Sequence, residues 1–132
     1  MENVGYGDWV SGALHGPGYS GGSPIDAGRF YPNSSTSNFH TYRAEYSPSD
    51  IKWYLDGVLL KTVSKSQVTS RGEWVYDKQL FIILNLAVGG DYPRGVNGAS
   101  SPYIGVPQST LDLIKKTPQT MEVDWVRVYQ WQ

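Results

Sequence analysis

The 132-residue sequence is nearly balanced in charge, with 11 Lys and Arg against 12 Asp and Glu, and it contains no cysteine. That balance speaks against a nucleic-acid binder, which carries a basic surplus, and against an acidic tail. The missing thiols exclude a disulfide scaffold, an iron–sulfur cluster, a thiolate zinc site and a cysteine nucleophile. Two histidines are too few for a His-rich metal cage, and 39% hydrophobic with 17% charged residues describes a folded chain of single-domain length, neither disordered nor membrane-spanning.

Met1 is followed directly by Glu2-Asn3, with no basic and then apolar stretch, so no signal peptide is expected. A long glycine-rich loop is expected from Gly12 to Gly28. From Phe39 to Tyr46 the chain alternates, with Phe39, Thr41, Arg43 and Glu45 on one face and His40, Tyr42, Ala44 and Tyr46 on the other, which predicts a strand. Its alternation with aromatic neighbours assigns His40 to packing rather than chemistry. Pro48-Ser49-Asp50 reads as a turn, Ile51 to Leu55 as the next strand, and Val58 to Val63 as its partner. Asp56-Gly57 between them is a strong hairpin signal, because both residues tolerate positive φ.

Gln79 to Val88 is apolar on both faces and contains the longest apolar run, Leu80 to Leu84, so it predicts a central buried strand ending at Gly89-Gly90. A second glycine-rich loop runs from Gly89 to Gly105. Loops of this length are uncommon unless they are functional. It is not a phosphate loop, since no Gly-Lys-Ser/Thr follows. Leu111 to Lys116 reads as a helical turn, and Met121 to Trp131 alternates as a strand. About six or seven strands make a two-sheet antiparallel sandwich the expected class, with residues 1–132 in one domain. The 5 Trp, 10 Tyr and 15 Gly give the polar, aromatic, turn-rich composition of many sugar-binding β-proteins.

Several segments carry a family resemblance. His15-Gly16-Pro17-Gly18-Tyr19-Ser20-Gly21-Gly22, Phe39-His40-Thr41-Tyr42, Ile51 to Gly57, Phe81 to Gly90 and Met121 to Gln130 resemble, in collinear order, glycoside hydrolase family 16. The similarity is nearest to its laminarinase-type endo-β-1,3-glucanases. The resemblance implies an all-β concanavalin-like jelly roll, here reduced to roughly its C-terminal half and lacking the N-terminal strands. It implies endo-acting hydrolysis of β-1,3-glucan by a retaining double displacement, with no cofactor required.

The family signature is Glu-x-Asp-x-x-Glu on one strand: nucleophile, assisting Asp, then general acid/base. Glu2 matches the last position, so the resemblance makes it the acid/base and puts the nucleophile and Asp before residue 1. Residues two and four apart share a strand face, so a third carboxylate five positions on needs a bulge to point inward. Retaining hydrolysis needs two carboxyls roughly 5–5.5 Å apart. A Glu near its ordinary value of about 4.3 donates a proton at neutrality only if burial or a neighbouring anion raises it. Glu2 alone has neither, so the isolated chain is expected to be incompetent, and the plain reading of Glu2 is a solvated terminal charge. The alternative function is a non-catalytic β-glucan-binding or structural module.

No other carboxylate replaces the nucleophile: Asp8 lies in a turn and Asp26 precedes a strand. Asp91 and Tyr92 stand where the family commonly has Asn and Trp, which makes them candidate subsite residues. His15 has two readings of equal weight, a cleft-lining histidine and a turn histidine bonded to backbone. Trp9, Tyr19 and Tyr92 lie in or beside loops and are candidate substrate-binding aromatics; Tyr19 and Tyr92 are expected in the cleft, Tyr129 in the core, and Trp53 fits either place. Asn85, a polar residue in an apolar strand, is either a buried satisfied amide or a cleft hydrogen-bonder; left unpaired it would cost roughly 1–3 kcal/mol. No Ser/His/Asp constellation is recognisable. Asp124 matches a family ligand to a structural calcium, but calcium wants six to eight oxygens, so the site is incomplete here. Family members are usually secreted. Half a sandwich exposes strand edges and an apolar face, so a homo-oligomer, or a complex with the missing N-terminal half, is expected. Neither a nucleic acid nor a membrane is an expected partner.

Overall fold

A computed structural model describes residues 1–4 and 8–130. The chain divides into two compact units, Met1–Phe81 and Ile82–Gln132.

In the first unit, strands β1 (Val10–Leu14) and β2 (Ile25–Phe30) pair antiparallel, with a bulge at Gly12/Ala13. A second antiparallel sheet has the order β3 (Tyr42–Tyr46), β4 (Asp50–Leu55), β5 (Val58–Ser64). Strict alternation along β4 turns Ile51, Trp53 and Leu55 inward. The expected hairpin turn forms, with Asp56 at φ 51° and Gly57 at φ 82°, the left-handed pair that matches the twist of the flanking strands. Both sheets feed one core: Leu14 and Ala27 from the first meet Ile51, Trp53 and Val63 from the second. Tyr19, Val68 and Trp74 complete it. Val68 comes from the short helix α1 (Lys65–Thr69), whose start is fixed by a capping box between Ser64 and Gln67. Antiparallel strands in two sheets around a shared core agree with the expected sandwich class.

β3 is shorter than expected. It begins at Tyr42; before it the His40 ring bonds the Ser35 carbonyl, and Thr41 is held by Asp56 twice, its N–H donating to the Asp56 carboxylate and its carbonyl accepting from the Asp56 N–H at 2.9 Å. Asp26, expected before a strand, lies inside β2, where its Oδ1 accepts from the Gly28 amide at 2.7 Å.

The second unit contains helices α2 (Asp91–Asn97) and α3 (Gln108–Lys116). The helical turn expected at Leu111–Lys116 is thus the larger part of α3. The long loop expected from Gly89 to Gly105 contains α2. The two strands expected here do not form. Residues 79–90 join no ladder, and Ile82, Ile83, Leu84, Leu86 and Val88 are all exposed. Residues 121–130 likewise pair with nothing, leaving Val123, Trp125 and Tyr129 exposed, and Trp131 lies outside the described residues. Apolar alternation says which face a strand would bury, but a strand exists only where a neighbour takes up its backbone N–H and C=O groups. Among the described residues no strand does so for 79–89 or 121–130; in the first segment only Gly90, at its end, has its N–H taken up, by the Ile104 carbonyl. Tyr129 is therefore not a core residue: it is 81% exposed.

Candidate functional site

The candidate residues fall in both units. In the first, Glu2 lies beside β1 through a two-way backbone bridge: its N–H donates to the Ser11 carbonyl and its carbonyl accepts from the Ser11 N–H, both at 2.8 Å. The Glu2 side chain is exposed. His15 follows the last residue of β1, also exposed, and its carbonyl accepts from the Tyr76 hydroxyl at 2.9 Å. β1 therefore brings Glu2 and His15 onto one strand and its flank.

Two expected sugar-facing aromatics are corrected. Tyr19 is completely buried, and its hydroxyl donates to the Glu73 carbonyl at 2.7 Å. The bridge between Gly16 and Tyr19 tightens the loop and swings the ring inward over Gly16, where no side chain blocks it. Trp9 is 4% exposed, with the Arg29 guanidinium over its ring at 4.4 Å. That stacking occupies the ring face a sugar would need. Trp53, for which both readings stood open, is core, with Gly12 lying close against its indole.

In the second unit Asn85 is exposed within the unpaired segment, so it is neither a buried amide nor part of a strand. Asp91 and Tyr92 open α2. Asp91 pairs with Arg94 one turn on at 3.0 Å, and its carboxylate is largely solvated. Tyr92 is 43% exposed. Gly89 and Gly90 both take positive φ, and the Gly90 N–H donates to the Ile104 carbonyl at 2.8 Å. Gly105 sits so close to the Gly90 backbone that a Cβ there would not fit without movement. This crossing explains why glycines stand at both ends of the Gly89–Gly105 stretch. Asp124 is exposed and outside any strand, and among the described residues no three His, Asp or Glu side chains gather to hold a metal. The donor set present does not fit a calcium ion.

Two features escaped sequence reasoning. One is an open cleft of about 380 Å³ lined by Tyr46, Ser47, Pro48, Tyr76, Asp77, Lys78 and Gln79. Burial and the adjacent Tyr19 hydroxyl hold the Tyr76 phenol far above its ordinary value, so it stays neutral. The other is His40, whose side chain is 2% exposed and hydrogen-bonded on both ring nitrogens. The Asp56 that holds it was visible as a turn residue but not as a partner.

Comparison with known proteins places the chain. Residues 1–127 match the family model described as glycosyl hydrolases family 16. A beta-glucanase from Rhodothermus marinus is 30% identical over 99% of this chain and 43% of its own length. A glucan endo-1,3-beta-glucosidase A1 from Niallia circulans is 30% identical over 93% of the chain and 17% of its own length. A glucan endo-1,3-beta-glucosidase from Cryptopygus antarcticus is 29% identical over 92% and 44%. No solved structure gives a significant match. The chain belongs to glycoside hydrolase family 16. It spans less than half the length of these curated relatives.

Proposed function

We propose that this chain is part of an endo-acting hydrolase of β-1,3-glucan that works with retention, Glu2 serving as the general acid/base. The observation that carries this reading is the family match across residues 1–127, together with relatives whose printed names are glucanases and endo-1,3-glucosidases. Its supports in the structure are the backbone bridge that holds Glu2 along β1 and the exposed His15 at the other end of that strand. In the double displacement one carboxylate attacks the anomeric carbon while the protonated Glu2 carboxyl delivers its proton to the leaving oxygen. Water then completes the turnover, with Glu2 taking a proton back.

An exposed Glu2 does not meet the pKa demand of that role unaided, and no residue of the 132 matches the nucleophile position of the signature. Turnover therefore requires the signature's other two carboxylates in addition to these 132 residues, and the 132 residues by themselves are inactive. The residues that carry them, or a second copy of this chain, cover the apolar segments at 80–88 and 121–129. Asn85, Asp91 and Tyr92 serve as substrate-binding residues, and the working protein is exported.

The test is reducing-sugar release from laminarin by the full chain, alone and mixed with a polypeptide carrying the Glu-x-Asp strand. Release by the mixture, abolished in Glu2→Gln, is the expected result; release by the chain alone, unaffected by Glu2→Gln, would overturn it. A second reading, a glucan-binding module without chemistry, is favoured by the cleft that pairs Tyr46 and Tyr76 with Ser47, Asp77 and Gln79. Aromatic rings beside hydroxyl, carboxylate and amide groups suit a neutral polyhydroxylated chain. Laminarin retention without turnover in the mixture would establish that reading.

A further inference from the structure

His40 is almost fully enclosed, with polar partners on both sides of the ring. Its Nδ1 lies 2.7 Å from Asp56 Oδ2 in the β4–β5 turn, and its Nε2 lies 2.9 Å from the Ser35 carbonyl. The other Asp56 oxygen accepts from the Thr41 N–H at 2.9 Å. Ser34 Oγ stands 3.4 Å from Nε2, so the residue types and order are those of a Ser-His-Asp relay. The relay is ruled out by the shorter contact: Nε2 is committed as a donor to the Ser35 carbonyl and cannot accept the serine proton. Two acceptors, one on each ring nitrogen, call for two N–H groups, and imidazole carries both only as the cation.

We propose that His40, Asp56 and the Ser35 carbonyl form a proton-operated clasp that holds residues 31–41 against the β4–β5 turn and releases them when His40 becomes neutral. The neutral ring has one N–H to share between Asp56 and Ser35, so one of the two bonds must break. What the clasp closes is a small cleft of about 110 Å³. Tyr31, Pro32 and Asn33 form one wall, with Leu55, Asp56, Val58 and Leu60 opposite. The titratable groups facing His40 are few among the described residues. Asp56 faces it from the turn, and Tyr42 from β3, with ring centroids 6.3 Å apart; the loop contributes the uncharged Ser34 and Ser35.

The ionisation directions agree with this geometry. The Ser35 carbonyl, then the Asp56 carboxylate, raise His40 above its ordinary 6.5. The Thr41 N–H, then His40, hold Asp56 below its ordinary 3.8. Burial and the Asp56 charge raise the Tyr42 phenol, which stays neutral. The clasp is closed between these limits and opens as pH climbs through the His40 value.

The experiment follows the His40 ring by proton–carbon NMR, and Thr41 amide protection corrected for intrinsic exchange, in the full chain across roughly pH 5–9. The expected midpoint lies above 6.5, and Thr41 protection falls about tenfold through it, the loss of one charge-assisted hydrogen bond. Asp56→Asn, which keeps the positive φ that Asn tolerates, moves the midpoint down; His40→Gln removes the step in protection. A midpoint at or below 6.5, or a step that survives His40→Gln, overturns the proposal. If His40→Gln does not fold, the direction of the Asp56→Asn shift decides alone.

Discussion

Tyr19→Phe tests whether the ring that looked like a sugar platform is a structural pin. The hydroxyl joins residues 54 apart in sequence, donating at 2.7 Å to the Glu73 carbonyl from a fully buried ring. Removing it forfeits a hydrogen bond of about 1 kcal/mol. A carbonyl left without a partner would raise the loss toward about 1–3 kcal/mol. A loss of about 1 kcal/mol lowers the melting temperature by roughly 4–8 °C in a unit the size of Met1–Phe81. Tyr19→Ala removes the ring as well and is expected to lose about 3–5 kcal/mol through the cavity left behind. Urea titration followed by tryptophan fluorescence measures both, since Trp53 and Trp74 share the core with Tyr19. The reasoning fails if Tyr19→Phe keeps its stability within a few tenths of a kcal/mol but loses laminarin retention. That pattern would return the hydroxyl to the sugar.

Gly72→Ala is expected to be more damaging than a surface glycine replacement, because its Cβ would land on the Pro17 carbonyl oxygen. Gly22→Ala, whose Cβ meets nothing and whose φ is not positive, is the control without a clash, and the urea midpoints of the two variants make the comparison. The His40–Asp56 pair gives stability a pH optimum. The histidine contribution is full below 6.5 and is lost as pH rises through its raised value; the aspartate contribution is present above 3.8 and is lost as pH falls through its lowered value. Urea midpoints measured across that span should fall on both flanks, and His40→Gln should flatten the alkaline one. Sedimentation velocity at micromolar concentration should show an oligomer, because exposed Phe81, Ile83, Val88, Val128 and Tyr129 invite a covering partner. A stable compact monomer would contradict this.

The legible parts of the fold were those fixed by neighbours in sequence. Asp56-Gly57 announced its hairpin because positive φ at two successive residues is a local demand, and the β4 alternation placed Ile51, Trp53 and Leu55 correctly. The apolar turns of α3 were visible for the same reason. The failures at 79–90 and 121–130 are failures of pairing: the pattern states a preference for a sheet but names no partner, and among the described residues no strand pairs with either segment. Tyr19 was misjudged because a run of glycines suggests an exposed loop, whereas Gly16 and Gly72 are small so that the ring can pass between them and into the core. His40 was read as a packing residue, and its bonding on both ring nitrogens was not legible because one partner, Asp56, lies sixteen residues away.

Anomer-resolved proton NMR of laminarin digestion tests the central claim most directly. With the full chain and a polypeptide bearing the signature's first two carboxylates together, the newly formed reducing ends should appear first as the β-anomer, and neither component alone should produce them. First-formed α-anomer, or digestion by this chain unassisted, would contradict the account.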